Sequence, residues 1–143
     1  MKTKRRFKIG FYVLLVAVLM IGMVSIVSAK PNSPFKGPWE AIDIDGSFMR
    51  LTIAGGGRGV YRLVWRDTFW SLCDGGPGIG RGTGTIDSSD PNVLNTSMEF
   101  RCGGVPALSL AIDFTYDPSS DTITDDAIAP PDDPVTWGRT GGP

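Results

Sequence analysis

Apolar and polar residues alternate along most of this chain with a period of two, and no stretch after the N-terminal apolar run repeats apolar residues at the helical interval. Leu108, Leu110, Ile112, Phe114 and Tyr116 fall on one side of such a segment, with Ser109, Asp113, Thr115 and Asp117 on the other. Successive side chains of a strand point to opposite faces, so this pattern describes a strand with one face in a core and one in water. Met49, Leu51 and Ile53 repeat it against Arg50 and Thr52, and Tyr61, Leu63 and Trp65 repeat it against Arg62 and Arg66. Glycine and proline punctuate these runs throughout. The pattern predicts strands over 39–44, 48–54, 60–66, 69–73, 78–86, 94–102, 108–116, 122–124 and 135–139. Asp45-Gly46 predicts a two-residue type I′ hairpin turn, and Asp67-Thr68 predicts a second tight turn. The fold class is therefore all-β, an antiparallel meander of about eight strands. Closing the meander into a small barrel removes its exposed edges, whereas a β-sandwich would use the same alternation with two packed sheets.

The first eight residues carry Lys2, Lys4, Arg5, Arg6 and Lys8, and an apolar run from Ile9 to Val27 follows and ends at Val27-Ser28-Ala29. A basic start, an apolar middle and small residues before a cleavage point compose a secretory signal, expected to be removed after Ala29. The length of the run also suits a retained membrane anchor. The expected organisation is a signal at 1–29, a linker at 30–36, one all-β domain at 37–139 and a disordered tail at 140–143. The location implied is secreted or extracytoplasmic, or anchored by an uncleaved N-terminal helix.

Of the 14 Lys and Arg, the five in the signal leave nine against 15 acids, a formal charge of −6. Nucleic-acid binding needs a basic surface that displaces counterions, so this balance argues against a nucleic-acid partner, and a membrane becomes a partner only if the signal is retained. Cys73 and Cys102 are the only cysteines. An even count in an exported chain points to a disulfide. Each cysteine ends a strand, with one strand between them, and strands two apart lie about 10 Å from each other. A disulfide wants Cα atoms within about 7 Å, so curvature or placement just past the strand ends must bring the cysteines together.

The ends of the meander carry Gly37-Pro38-Trp39 and Trp137-Gly138-Arg139. A G-x-W opening the first strand and a basic residue closing the last resemble the calycins, the superfamily of lipocalins, avidins and small bacterial protease inhibitors. That resemblance implies a small calycin-like barrel, with Trp39 packed across one end and Arg139 lying over its ring as a cation-π latch. The chain also resembles a group of uncharacterised bacterial secreted domains that share W-x3-D-x-D-G-S, two cysteines, D-T-[IL]-T-D and W-x-R. Here these stand at Trp39, Asp43, Asp45-Gly46-Ser47, Cys73, Cys102, Asp121-Thr122-Ile123-Thr124-Asp125 and Trp137 to Arg139. This second resemblance spans nearly the whole domain and implies no particular activity.

The chain has no histidine. A Ser-His-Asp arrangement and His-ligated zinc are therefore excluded, and no catalytic residue, metal site or cofactor is expected. Glu40 and Glu99 could face each other across a barrel, although solvated strand faces explain both. Asp43-x-Asp45-Gly46 opens like a calcium loop without its later ligands. Asp125, Asp126, Asp132 and Asp133 suit solubility better than cation binding. Gly78, Gly80, Gly82 and Gly84 share one strand face and leave a trough about 13 Å long, to be filled by neighbours such as Trp65 and Trp70 or by a ligand. Trp65, Phe69 and Trp70 cluster around a bend, so one of them is expected at a barrel mouth or on the surface. The candidate ligand-binding residues are Trp65, Phe69, Trp70, Gly80 and Gly82. The function expected is a secreted, non-enzymatic binding module for a small apolar or sugar-like ligand; the alternative is an interaction module for an extracellular protein, such as a protease inhibitor.

Overall fold

A computed structural model describes residues 33–126 and 134–140. The signal, the residues before Ser33, Asp132, Asp133 and the last three residues lie outside the described residues. Eight strands run antiparallel in sequence order: β1 (Gly37–Ile42), β2 (Phe48–Gly55), β3 (Val60–Trp70), β4 (Gly76–Ile86), β5 (Val93–Cys102), β6 (Val105–Asp117), β7 (Thr122–Asp125) and β8 (Val135–Arg139). β8 returns to pair with β1, and the meander closes into a barrel rather than a sandwich. The closing seam is short, with Trp39 opposite Arg139 and Glu40 opposite Gly138.

Two local readings of the sequence need correction. The residues from Asp67 to Cys73 do not turn and start a new strand. β3 continues through Asp67 and Thr68 to Trp70 with a register shift, and Ser71–Cys73 then forms a single 3-10 turn. Thr68 keeps the strand going, because its hydroxyl bonds both the amide and the carbonyl of Phe48 on β2, at 2.9 and 3.1 Å. The β1–β2 connection is also not a type I′ turn. The Gly46 amide closes the turn on the Asp43 carbonyl, so Ile44 and Asp45 are its central residues and only Gly46 adopts positive φ. That geometry is a type I turn followed by a left-handed glycine.

Alternation decides what faces inward. Trp39, Met49, Leu51, Ile53, Leu63, Trp65, Leu94, Met98, Phe100, Ile112, Phe114, Ile123 and Trp137 are buried in one core cluster. Trp65 meets Trp137 edge-on at 4.6 Å between ring centroids and Phe100 at 5.6 Å. Gly80 pairs with Trp65 on one side and Phe100 on the other, so the two rings meet where its side chain is missing. A Cβ on Gly80 would stand 2.6 Å from Phe100, one on Gly84 2.7 Å from Thr96 and one on Gly78 2.8 Å from Trp70. A Cβ on Gly82 would strike Met98 and the Ser97 carbonyl. The glycine trough is filled by the protein's own side chains.

Candidate functional site at the disulfide end

The even-numbered parity of the meander puts the β1–β2, β3–β4 and β5–β6 connections at one end of the barrel. The chain enters at the other. There the supposed linker contributes a tight turn, Lys36 to Ser33, that drops Phe35 into the barrel with no exposed surface. The Trp39 indole donates to the Phe35 carbonyl at 2.8 Å. The Arg139 guanidinium lies 4.1 Å over the Trp39 ring, chelates Asp121 and donates to the carbonyls of Pro34 and Lys36. The cation-π latch implied by the calycin resemblance is thus present as a contact, and each of the three guanidinium nitrogens donates to a structural partner. Arg139 holds the Asp121 carboxyl below its ordinary range, while burial and the bond to Asp121 push the Tyr116 hydroxyl up.

The opposite end is built differently. Cys73 and Cys102 form a disulfide with Cα atoms 5.3 Å apart. The 3-10 turn resolves the distance conflict that the strand spacing posed. It carries Cys73 out of β3 and across the start of β4, where a Cβ on Gly76 would meet the Cys73 carbonyl at 3.1 Å. Beneath the turn Trp70 is buried against Phe100, at 5.1 Å between centroids. Trp65, Asp67, Trp70, Gly78 and Phe100 enclose a gap with no room for a water. Asp67 faces inward and is 7% exposed. Burial raises its carboxyl pKa, and the Asp43 and Asp45 charges add to this, while the Phe69 amide and the Ser47 hydroxyl work against it. The Ser47 hydroxyl is itself buried without a hydrogen bond of ordinary geometry.

Outside this end the chain exposes apolar side chains: Ile42, Ile44, Phe48, Phe69, Leu72 and Val105. Phe69 is 50% exposed and packs over Gly75, where a Cβ would approach its ring to 2.7 Å. The expected cluster therefore divides. Phe69 reaches the surface, whereas Trp65 and Trp70 are 1% and 7% exposed, and Gly80 and Gly82 serve packing. Trp65 and Gly80 border a lumen occupied by the protein's own side chains, and Gly82 also lines an outer groove with Ile79, Arg81 and Met98.

The carboxylates offer little chemistry. Glu40 and Glu99 sit outside the barrel, paired with Arg50 and Arg101. Asp43 and Asp45 accept the amides of Ile44 and Ser47, and among the described residues no group of three or more carboxylates or cysteines is placed to hold a metal ion. Asp125 is buried and accepts the Trp137 indole at 2.6 Å, so it belongs to the core rather than to an acidic surface loop. Among the described residues no helix is long and apolar enough to cross a membrane. In comparisons with known proteins, no family model matches the chain, and no curated protein or solved structure matches it either.

Sequence reasoning missed three features of this end. Alternation and turn chemistry place Phe48 and Leu72 on strands, with no sign of their place at the rim, and Asp67 in a turn. A signal for Asp67 was there: it continues the inward series Tyr61, Leu63, Trp65, and a carboxylate at an inward position stands out from that series.

Proposed function

We propose that the domain is a secreted, non-enzymatic interaction module that recognises a protein through its outer surface at the disulfide end. The observation that carries this reading is the contrast between a lumen packed with the protein's own aromatics and a rim of exposed Ile42, Ile44, Phe48, Phe69, Leu72 and Val105. A small apolar ligand needs a concave, largely enclosed site, and the enclosed space here is taken. Exposed large apolar residues gathered at the strand ends and turns of one end of a barrel are the ordinary mark of a protein-binding patch. The disulfide at the same end braces those loops and suits an oxidising compartment. An inhibitor of an extracellular protease is one module of this kind. A small-ligand module would instead need the rim itself to close around its ligand.

Native mass spectrometry of the exported protein is expected to show the bare mass of the processed chain. A photo-crosslinking amino acid at position 69 or 72 is expected to trap one discrete protein from the extracytoplasmic fraction. The same group at Thr115, on the outer face toward the latch end, should trap none. A retained small molecule whose removal changes tryptophan fluorescence would sink the protein-docking reading and restore the small-ligand one.

A further inference from the structure

The outer wall from β2 to β5 carries Arg50, Arg62, Arg66, Arg81 and Arg101, all exposed. Strand register assembles them. Arg50 stands directly opposite Arg66, Ile79 pairs with both Arg66 and Arg101, and Arg81 pairs with Val64 and Glu99. Three arginines therefore lie in one transverse row with Ile79 between them, and Arg81 sits one diagonal step away. Like charges directly opposite each other on a sheet are destabilising. Glu40 and Glu99 offset Arg50 and Arg101, but among the described residues Arg62, Arg66 and Arg81 have no carboxylate partner. Further acids lie around β6 and β7, with Asp113 and Asp117 on β6, Asp121 in the turn after it and Asp126 just past β7, whereas Asp67, next to Arg66 on β3, faces inward.

Apolar surface interrupts this row. A groove of about 430 Å³ is bordered by Phe48, Arg50, Arg66, Thr68, Pro77 and Ile79, and the largely buried Asp67 also lines it. Pro77 and Ile79 also border a second groove of about 1060 Å³, which Arg81, Glu99 and Arg101 flank on its far side. Arg50 covers the Phe48 ring at 5.9 Å from its centroid, so that face is not free to stack on a base or a sugar. Guanidinium groups are forked donors that match carboxylates two bonds at a time.

We propose that this wall binds an acidic polypeptide segment. A bulky apolar side chain seats between Phe48 and Ile79, and carboxylates on either side of it take Arg66 and Arg81. The inference rests on the protein-docking reading above and gives its partner a chemistry.

The test uses the full exported protein and fluorescein-labelled synthetic peptides, read by anisotropy. A peptide alternating glutamate with leucine is expected to bind, and to weaken steeply as salt is raised. A peptide of equal charge alternating glutamate with serine should bind about tenfold more weakly, and so should R66Q, R81Q or F48S with the leucine peptide. R66Q should keep or raise the melting temperature, because it removes a like-charge pair. Equal binding of the two peptides, tighter competition by heparin than by the leucine peptide, or wild-type affinity in both R66Q and R81Q would overturn the proposal. If the cross-link at position 69 or 72 persists under those outcomes, the arginine wall alone is wrong. If the cross-link also fails, the docking reading falls with it.

Discussion

The two ends of this barrel are closed by opposite means. At the latch end Phe35, Trp39, Tyr116, Asp121 and Arg139 satisfy one another, with each guanidinium nitrogen hydrogen-bonded and the indole donating to backbone. At the disulfide end a covalent bond holds the loops, and the groups around it remain less satisfied: Asp67 is a buried carboxylate, Ser47 a buried hydroxyl without a bond of ordinary geometry, and the rim is apolar. An end whose groups are all spent on one another is structural. An end that tolerates exposed phenylalanine and leucine, and needs a staple to do so, has surface in reserve for something else.

The largest expected effect falls on the latch. Trp39→Ala should cost about 3 to 5 kcal/mol, since it removes a fully buried indole and the platform under Arg139. Phe69→Ala, an aromatic deletion at the other end, should stay within about 0.5 kcal/mol in a denaturant titration. A comparable loss at both positions would erase the contrast between the ends. Replacing both cysteines with alanine should come next, at about 3 kcal/mol, with no thiol reactivity in the unreduced wild-type protein even when unfolded. If the cysteine-free protein keeps its melting temperature, the disulfide end does not depend on its staple.

Between the ends, Gly82→Ala should cost about 1 to 3 kcal/mol, because the new methyl meets the Ser97 carbonyl and Met98 Cα, which cannot rotate away. Gly80→Ala should cost less, its nearest obstacles being the outer atoms of the Phe100 and Met98 side chains. Gly138→Ala has open space around it and should be close to neutral, so thermal melts of the three variants rank the wall against the seam.

The smallest effect has opposite signs at the two ends. Arg139 lowers the Asp121 pKa, so this carboxylate stabilises the fold above its unfolded pKa, and that contribution is lost as pH falls through the lower folded value. Burial raises the Asp67 pKa. Stability from that group is therefore complete below its unfolded pKa and is lost as pH rises through the higher folded value. Asp67→Asn should raise stability at neutral pH by less than about 1 kcal/mol and have no effect near pH 3. Asp121→Asn should lower stability at neutral pH by at most about 1 kcal/mol, the side chain being half exposed, with the loss fading in acid. Urea midpoints at the two pH values decide both signs.

Much of the barrel was legible in the residues, since an inward series such as Leu94, Thr96, Met98 and Phe100 leaves little choice of face. The glycine strand was legible as a trough, which alternation alone leaves to be filled by neighbouring aromatics or by a ligand. Two things were not readable. The stretch from Asp67 to Cys73 mixes a polar dip with aromatics, and only the bond from Thr68 to the β2 backbone shows that the strand runs on. The arginine wall was visible residue by residue, with Arg50, Arg62 and Arg66 on outward positions. What alternation cannot supply is register, and register alone sets Arg50 opposite Arg66 and brings Arg81 and Arg101 beside them. The negative total charge hid this gathering of positive charge.

The closing seam also fixes an order of events in folding. Hydrogen bonds from Arg139 reach the Lys36 and Pro34 carbonyls across 103 and 105 residues, while every other strand pairing joins neighbours in sequence. Hairpins from β1 to β7 can form locally, but the meander stays an open sheet until its last strand arrives. A chain still emerging from a ribosome therefore lacks both the Arg139 bonds to the carbonyls flanking Phe35 and the partner for β1. It remains an open sheet, with the β1 edge unpaired, until the residues of β8 are free to pair.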